Sequence, residues 1–350
     1  MDAYDGVLLD LDGTVYRGAE VIPGAVPSVA AAQRSGRPVG FVTNNAARGP
    51  AEVSAQLVSL GFAADPDHVV TSAQAGAALL AERLPGGAAV LVVGTDSLAD
   101  EVRAVGLTAV RAMDEAPVAV VQGHSPDTGW RDLAEACLAI RAGALWVACN
   151  VDPTLPTERG QLPGNGSMVA ALRSATGYEP AVAGKPERRL LDQAAARLGL
   201  TRPLVAGDRL DTDVAGGTAA GMDTLLVLTG VSTAADLLAA GPALRPRYLS
   251  ADLTALHDPA SHSEIGPRPG WSVTVADGHV TLAHAPRNAG VSGNALAYRS
   301  VSGGPFDAVD ALRALCAAVW SDDAAAGAPP VIRAVDEPAR AALSELGLLG

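Results

Sequence analysis

The sequence predicts an α/β protein with three parts. These are a Rossmann-like core built on a parallel sheet, an α/β domain inserted into that core, and a small α+β unit at the C-terminus. Three observations carry the prediction. Short, continuous apolar runs, each ending in polar groups, recur at both ends of the first 258 residues. About 140 residues separate two of those polar sites, Asn45 and Lys185, whereas one crossover between parallel strands needs only about 30. The last 90 or so residues carry a hairpin pattern followed by helix, strand and helix.

The first run is Gly6-Val7-Leu8-Leu9, followed by Asp10-Leu11-Asp12-Gly13-Thr14. An uninterrupted apolar stretch of this length suits a strand buried on both faces. In an open α/β sheet, ligands bind beyond the carboxyl ends of the strands. Turn chemistry accounts for Asp12-Gly13 but not for Asp10, an acid that ends a buried strand. One chemistry accounts for both acids: Asp10 attacks a phosphorus atom and Asp12 handles the proton of the leaving group. The second run, Pro38–Val42, delivers Thr43, Asn44 and Asn45. The third, Pro203–Ala206, delivers Gly207-Asp208-Arg209-Leu210-Asp211-Thr212-Asp213. Carboxylates gathered round a phosphate need a hard cation with oxygen ligands, which points to Mg²⁺.

Lys185 is the one lysine in a chain of 25 lysines and arginines together. Arginine is a wide planar fork and lysine a compact point charge on a thin stem. A chain that uses arginine everywhere else and lysine here implies an anion site too narrow for the fork.

Asp10-Leu11-Asp12-Gly13-Thr14, Thr43, Lys185 and Gly207-Asp208 with Asp213 resemble, in order, the four motifs of the haloacid dehalogenase superfamily. The resemblance covers roughly residues 4–258. It implies Asp10 as nucleophile and Asp12 as general acid, then general base. It implies Thr43 and Lys185 as holders of the phosphoryl oxygens. The implied Mg²⁺ ligands are Asp10, the backbone carbonyl of Asp12, and Asp208, with Asp213 in support. Superfamily dehalogenases lack an acid at the second position, so Asp12 points to a phosphatase.

The inserted part, residues 76–181, has strand patterns at Ala88–Val93, Val118–Val121 and Leu145–Ala148, and an amphipathic helix over Trp130–Arg141. The core is then 1–75 and 182–258. Such an insert is expected to act as a cap, excluding water and choosing the substrate. Asn150-Val151-Asp152-Pro153 and Leu162–Met168 resemble landmarks of the C2-type cap of the class IIA, 4-nitrophenylphosphatase-like subfamily. The loop Asp152–Pro156 would reach towards the substrate, making Asp152 and Leu155 candidate contacts beside Asn44 and Asn45. Thr154 and Leu155 stand where the subfamily's pyridoxal phosphate enzyme has a bulky aromatic and a histidine, which weighs against a vitamin ring. His124, in Gly123-His124-Ser125, either bonds a substrate hydroxyl or lies on the cap surface. Trp130 and Trp146, the two tryptophans of the insert, read as core residues, which leaves no stacking platform for a nucleotide base.

Asp258–Ser263 reads as a linker. Beyond it come Trp271–Val275, a turn at Asp277-Gly278, Val280–Leu282, a loop over 288–304, a helix over Ala308–Trp320, and a final strand and helix over Val331–Val335 and Pro338–Leu348. This β-β-α-β-α unit, residues 259–350, resembles the extensions of actinobacterial glycerol 3-phosphate phosphatases, which are related to part of an N-acetyltransferase fold. Arg287–Gly293 has glycines but neither a clear strand before it nor a helix directly after it. An acetyl-CoA pyrophosphate site wants both, so a structural or oligomerising appendage is the expectation.

A net charge of −13 excludes nucleic acid and anionic membranes as partners. No apolar run reaches transmembrane length. Three scattered cysteines without a CxxC pair fit a reduced, cytoplasmic protein. The expected partner is a small phosphorylated metabolite, and a homodimer is compatible with the sequence. The leading expectation is a Mg²⁺-dependent phosphatase acting on glycerol 3-phosphate, the substrate implied by cap and tail together. The alternatives are phosphoglycolate or broad phosphomonoester hydrolysis, or a phosphatase regulated by a ligand of the C-terminal unit.

Overall fold

A computed structural model describes residues 1, 3–157, 159–276, 279–285, 307–321 and 330–349. The expected turn at Asp277-Gly278, the loop over 288–304 and the glycine run Arg287–Gly293 lie outside the described residues.

Six parallel strands form the core sheet, in the order Val69–Thr71, Val39–Thr43, Gly6–Leu9, Pro203–Gly207, Asp223–Val227, Tyr248–Ser250. The sheet grows outward in both directions from Gly6–Leu9 and Pro203–Gly207. The strand order therefore reverses between these two, which creates the crevice where such folds bind ligands. Alternation along each strand feeds two layers: Val7, Leu9, Phe41 and Ala206 enter one apolar cluster, while Leu8, Val42 and Val205 enter the other. Glycine at positions 6 and 40 lets the helix side approach. A Cβ would stand 2.5 Å from a Leu200 methyl at the first and 2.7 Å from a Leu198 methyl at the second.

A second parallel sheet has the order Ala181–Val182, Leu145–Ala148, Ala119–Gln122, Ala89–Val93, Thr108–Val110. The edge strand Thr108–Val110 is only three residues long, so periodicity does not announce it. The helix Ser72–Ala81 carries the chain out of the core sheet. Its first turn is fixed by a capping box between Thr71 and Gln74. The expected boundary at 75/76 falls inside this helix, so the change of sheet happens along one continuous rod. On the helix Trp130–Arg141, Ala136 and Ile140 are buried as the spacing predicts. Trp146 is core, but Trp130 is 81 % exposed and is not. It is the first residue of that helix, ahead of the buried face. The expected loop over Asp152–Pro156 is instead half of a hairpin, Thr154–Thr157 against Gly160–Pro163.

The C-terminal unit pairs Trp271–Ala276 antiparallel with His279–His284 and adds Ile332–Ala334 in parallel, with helices Ala308–Trp320 and Glu337–Glu345. It is more closely joined to the core than an appendage on a linker. Leu226 and Leu249, on the last two core strands, share one apolar cluster with Leu312, Leu315, Cys316 and Leu343. Arg313 donates from Nε and a terminal nitrogen to the Leu249 carbonyl at 3.0 and 2.7 Å. Each buried leucine contributes about 1.5–3 kcal/mol. The segment expected to be a linker directly follows the turn Leu253–His257 and itself contains the helical turn Ala260–Ser263, and the Met1 amino group donates to the Asp258 carbonyl at 2.6 Å. Its turn-forming residues build a compact helical turn rather than a tether.

Candidate active site

At the reversal point the chain places an acid at the end of each of two neighbouring strands. Asp10 follows Gly6–Leu9, and its N–H donates to the Ala206 carbonyl at 2.9 Å. Asp208 follows Pro203–Gly207. Asp213 joins them because Leu210–Val214 is a single wide turn in which the N–H groups of Asp213 and Val214 both donate to the Arg209 carbonyl. Such local π-type turns are frequent at functional sites. Asp10, Asp208 and Asp213 each present an oxygen within 4.8 Å of the others'.

Lys185 joins this cluster. It is 2 % exposed, and its Nζ lies 2.5 Å from Asp10 Oδ1, 2.7 Å from Asp213 Oδ1 and 3.4 Å from the Val42 carbonyl. Burial pulls its pKa down, but the two carboxylates outweigh that and raise it, so it is a fixed cation. Burial pushes Asp10 well above the usual carboxylate range against the pull of Lys185, with Asp213 and Asp208 adding to the rise. Asp208 is pushed up to about 6 by burial and then by Asp213. Three hard oxygen donors with a single ammonium among them leave excess negative charge. This donor set fits a divalent cation such as Mg²⁺.

Asp12 is exposed at the mouth of the crevice, two residues beyond Asp10. The protein around it still raises its pKa by desolvation, against the pull of Arg48. Gly13 then turns the chain at φ 84°, a conformation that favours glycine. Thr43 ends its strand buried, its hydroxyl accepting from the Asn45 N–H at 3.0 Å. Asn45 in turn accepts from the Ala47 N–H at 2.7 Å.

Asn44, a candidate substrate contact, also bonds within the protein. Its Oδ1 accepts from the Lys185 N–H at 2.9 Å, and its Nδ2 donates to the Lys185 carbonyl at 2.9 Å and to Asp152 at 3.2 Å. Both ends of the amide are thus engaged within the protein. Asp152 is half-buried, with its pKa raised by burial against the pull of Arg209 and Asn44. Through Asn44 it is joined to the Lys185 backbone. His124 is half-buried with its pKa lowered by burial, and Leu155 is half-buried on the hairpin. Among the described residues, no hydrogen bond joins either to the cluster.

Sequence reasoning missed the loop after Asp223–Val227. Thr229 Oγ1 donates to the Gly13 carbonyl at 2.5 Å, and the Val231 N–H donates to Asp208 at 2.7 Å. A Cβ on Gly230 would stand 1.9 Å from Asp208 Oδ2 and 2.4 Å from its Cγ. A Thr-Gly pair just past another apolar run was the available signal. Gly230→Ala is expected to displace the Asp208 carboxylate and weaken divalent-cation binding. Turnover should drop about 100-fold, as for a misplacement of roughly 1 Å. Calorimetric titration of the variant with Mg²⁺ checks this, and unchanged affinity would refute it.

Comparison with known proteins agrees with this geometry. The haloacid dehalogenase-like hydrolase profile matches residues 7–108, a related HAD-hydrolase-like profile matches 182–256, and a GCN5-related N-acetyltransferase-like domain profile matches 268–348. The D-glycerol 3-phosphate phosphatase of Mycobacterium tuberculosis is 51% identical over 348 residues, covering 99% of this chain and 95% of its own. The crystal structure of the M. tuberculosis glycerol phosphate phosphatase in complex with magnesium has a TM-score of 0.89 at 50% identity, covering 99% of this chain and 98% of its own. The 5'-nucleotidase YutF of Bacillus subtilis is 41% identical over 66% of this chain and 90% of its own. The two core profiles match the segments that supply Asp10, Lys185, Asp208 and Asp213, and the M. tuberculosis likeness runs through all three parts of the fold. The chain therefore belongs to the haloacid dehalogenase-like hydrolases.

Proposed function

We propose that this hydrolase is a Mg²⁺-dependent phosphomonoesterase whose substrate is glycerol 3-phosphate. The reaction class rests on one observation above the others: a buried lysine held between a strand-end aspartate and a cluster of two further acids, with Asp12 exposed two residues beyond. The substrate rests on likeness to the M. tuberculosis enzyme through insert and C-terminal unit as well as core.

An Asp10 carboxylate oxygen attacks phosphorus as the bond to the glycerol oxygen breaks, and Asp12 donates a proton to that oxygen. Water then attacks the aspartyl-phosphate, Asp12 takes its proton, and Asp10 is released with inorganic phosphate. Lys185 and the Thr43 hydroxyl hold the phosphoryl oxygens in line with Asp10, so the positioning that dominates such transfers is supplied by rigid strand ends. Asp10, Asp208 and the Asp12 backbone carbonyl would hold Mg²⁺, with Asp213 in support; the cation supplies charge neutralisation for the phosphate among these acids.

The unit on the second sheet serves as a cap over the crevice, with Asp152, Leu155 and His124 as its candidate contacts to the glycerol moiety. Asn44 and Asn45 are the candidate contacts from the core. No helix among the described residues is long and apolar enough to cross a membrane. Three free cysteines agree with a cytoplasmic setting.

Phosphate release from glycerol 3-phosphate, phosphoglycolate and 4-nitrophenyl phosphate tests this reading, with Mg²⁺ and with chelator. The expected result is metal-dependent release with a kcat/KM for glycerol 3-phosphate at least about tenfold above phosphoglycolate, the scale one well-placed contact provides. Equal turnover of the two would remove the narrow substrate, and chelator-resistant release would remove the metal.

A further inference from the structure

Lys185 sits on the return path between the two sheets, three residues past the strand Ala181–Val182. Its ammonium belongs to the catalytic cluster, while its backbone belongs to the seam between cap and core. We infer that Asn44 and Asn150 form a hydrogen-bonded relay through which the seating of the cap sets the position of Lys185. Both are positioning residues.

Asn44 clasps the Lys185 backbone from both sides, at 2.9 Å to its N–H and 2.9 Å to its carbonyl. The carbonyl of Asn44 receives two donors from the seam: Ser72 Oγ, at the start of the outgoing helix, at 2.6 Å, and Asn150 Nδ2, at the end of a cap strand, also at 2.6 Å. Asn150 is nearly buried and engaged throughout. Its Oδ1 accepts from the Asp152 N–H at 3.2 Å, and its carbonyl accepts from Asn165 Nδ2 at 2.6 Å. The line Asn165–Asn150–Asn44–Lys185 thus runs from the cap interior to the ammonium-bearing residue. A Cβ on Gly184 would stand 2.5 Å from the Cys149 carbonyl and 2.6 Å from Asn44 Oδ1, so cap and core backbones touch beside the clasp. A cap displaced from its seat pulls on Asn44 and through it on Lys185, whose Nζ has only the narrow gap between Asp10 and Asp213.

The kinetic part of the test rests on the phosphatase reading, and the spectroscopic part does not. Because Lys185 is the one lysine in the chain, full-length protein made with ε-¹³C-lysine gives a single lysine side-chain signal. Asn150→Ala deletes a donor that touches neither Lys185 nor any acid of the cluster. The Lys185 signal is expected to shift in the metal-free, substrate-free protein. The kcat should fall about tenfold, by the same factor for glycerol 3-phosphate and 4-nitrophenyl phosphate, with KM within about twofold. Ser72→Ala, which deletes the other donor to the Asn44 carbonyl, should move the signal too and carries the test if Asn150→Ala does not fold. An unmoved signal in the folded variant overturns the relay. A loss confined to glycerol 3-phosphate also overturns it, since Asn150 would then act through substrate recognition. Wild-type protein inactive on both esters would refute the phosphatase reading, while the signal alone still decides the relay.

Discussion

Asp10→Asn is expected to abolish phosphate release, by roughly 10,000-fold or more, while making the metal-free fold more stable. The loss follows from the role proposed for Asp10, since an amide is no nucleophile, and removing such a group costs about as much as removing the whole constellation. The gain follows from the cluster's charge. Asp10, Asp208 and Asp213 crowd within 4.8 Å with one ammonium among them. Burial first, and then the two neighbouring acids, hold Asp10 well above the usual carboxylate range. A raised pKa means that the folded chain binds that proton more tightly than the unfolded chain does. Ionising Asp10 therefore destabilises the fold, and the cost grows as pH rises above the ordinary carboxylate value. Asparagine is neutral at every pH, and Lys185 keeps Asp213 at 2.7 Å. Thermal melts at neutral pH with chelator should place the variant above wild type, and added Mg²⁺ should narrow the gap by stabilising wild type more. A variant that melts lower in chelator would mean that the Lys185–Asp10 contact outweighs the repulsion.

Asp10 and Asp208 were legible in the sequence because each sits just past a buried apolar run, so strand prediction and site prediction are a single act. Asp10, Thr43 and Asp208 required nothing more than locating where such runs stop. The sequence also carried the arginine bias that isolates Lys185. What it did not carry is pairing at long range. Asn44 reads as a substrate contact because its neighbours Thr43 and Asn45 look alike. Its partners within the protein, Asp152 and Lys185, lie 108 and 141 residues away. Gly230 follows an apolar run too, but its role is long-range as well, since that role is the Asp208 carboxylate against its Cα. The seam between the core and the C-terminal unit was misread in the opposite direction. Asp258–Ser263 has turn-forming residues, which the sequence cannot assign to a free tether or to a turn packed on the protein. Leu226 and Leu249 settle it, because each needs a covering layer on its side of the sheet, and the helix Ala308–Trp320 belongs to that layer.

Lys185→Arg is expected to lower kcat about 1,000-fold despite preserving the charge. The lysine stem is fully enclosed. A Cβ built on Gly216 would stand 3.5 Å from its Cγ, and its tip ends between Asp10 Oδ1 at 2.5 Å and Asp213 Oδ1 at 2.7 Å. An ammonium fills that gap as one point with three donors. A guanidinium brings a planar carbon and three nitrogens to the same place, and its second terminal nitrogen must displace either Asp10 or the wall formed by the Val42 carbonyl. Overpacking of this kind typically costs about 1–3 kcal/mol of stability, so the variant should fold but melt lower. Moving the nucleophile by roughly 1 Å accounts for about 100-fold of the loss, and the arginine's failure to follow phosphoryl oxygens into the transition state supplies the rest. Because the damage lies at the reacting atoms and not in the cap, 4-nitrophenyl phosphate and glycerol 3-phosphate should lose turnover alike, with KM little changed. Turnover within threefold of wild type would show that the site has room for the fork. Its use of the chain's one lysine would then have no steric cause.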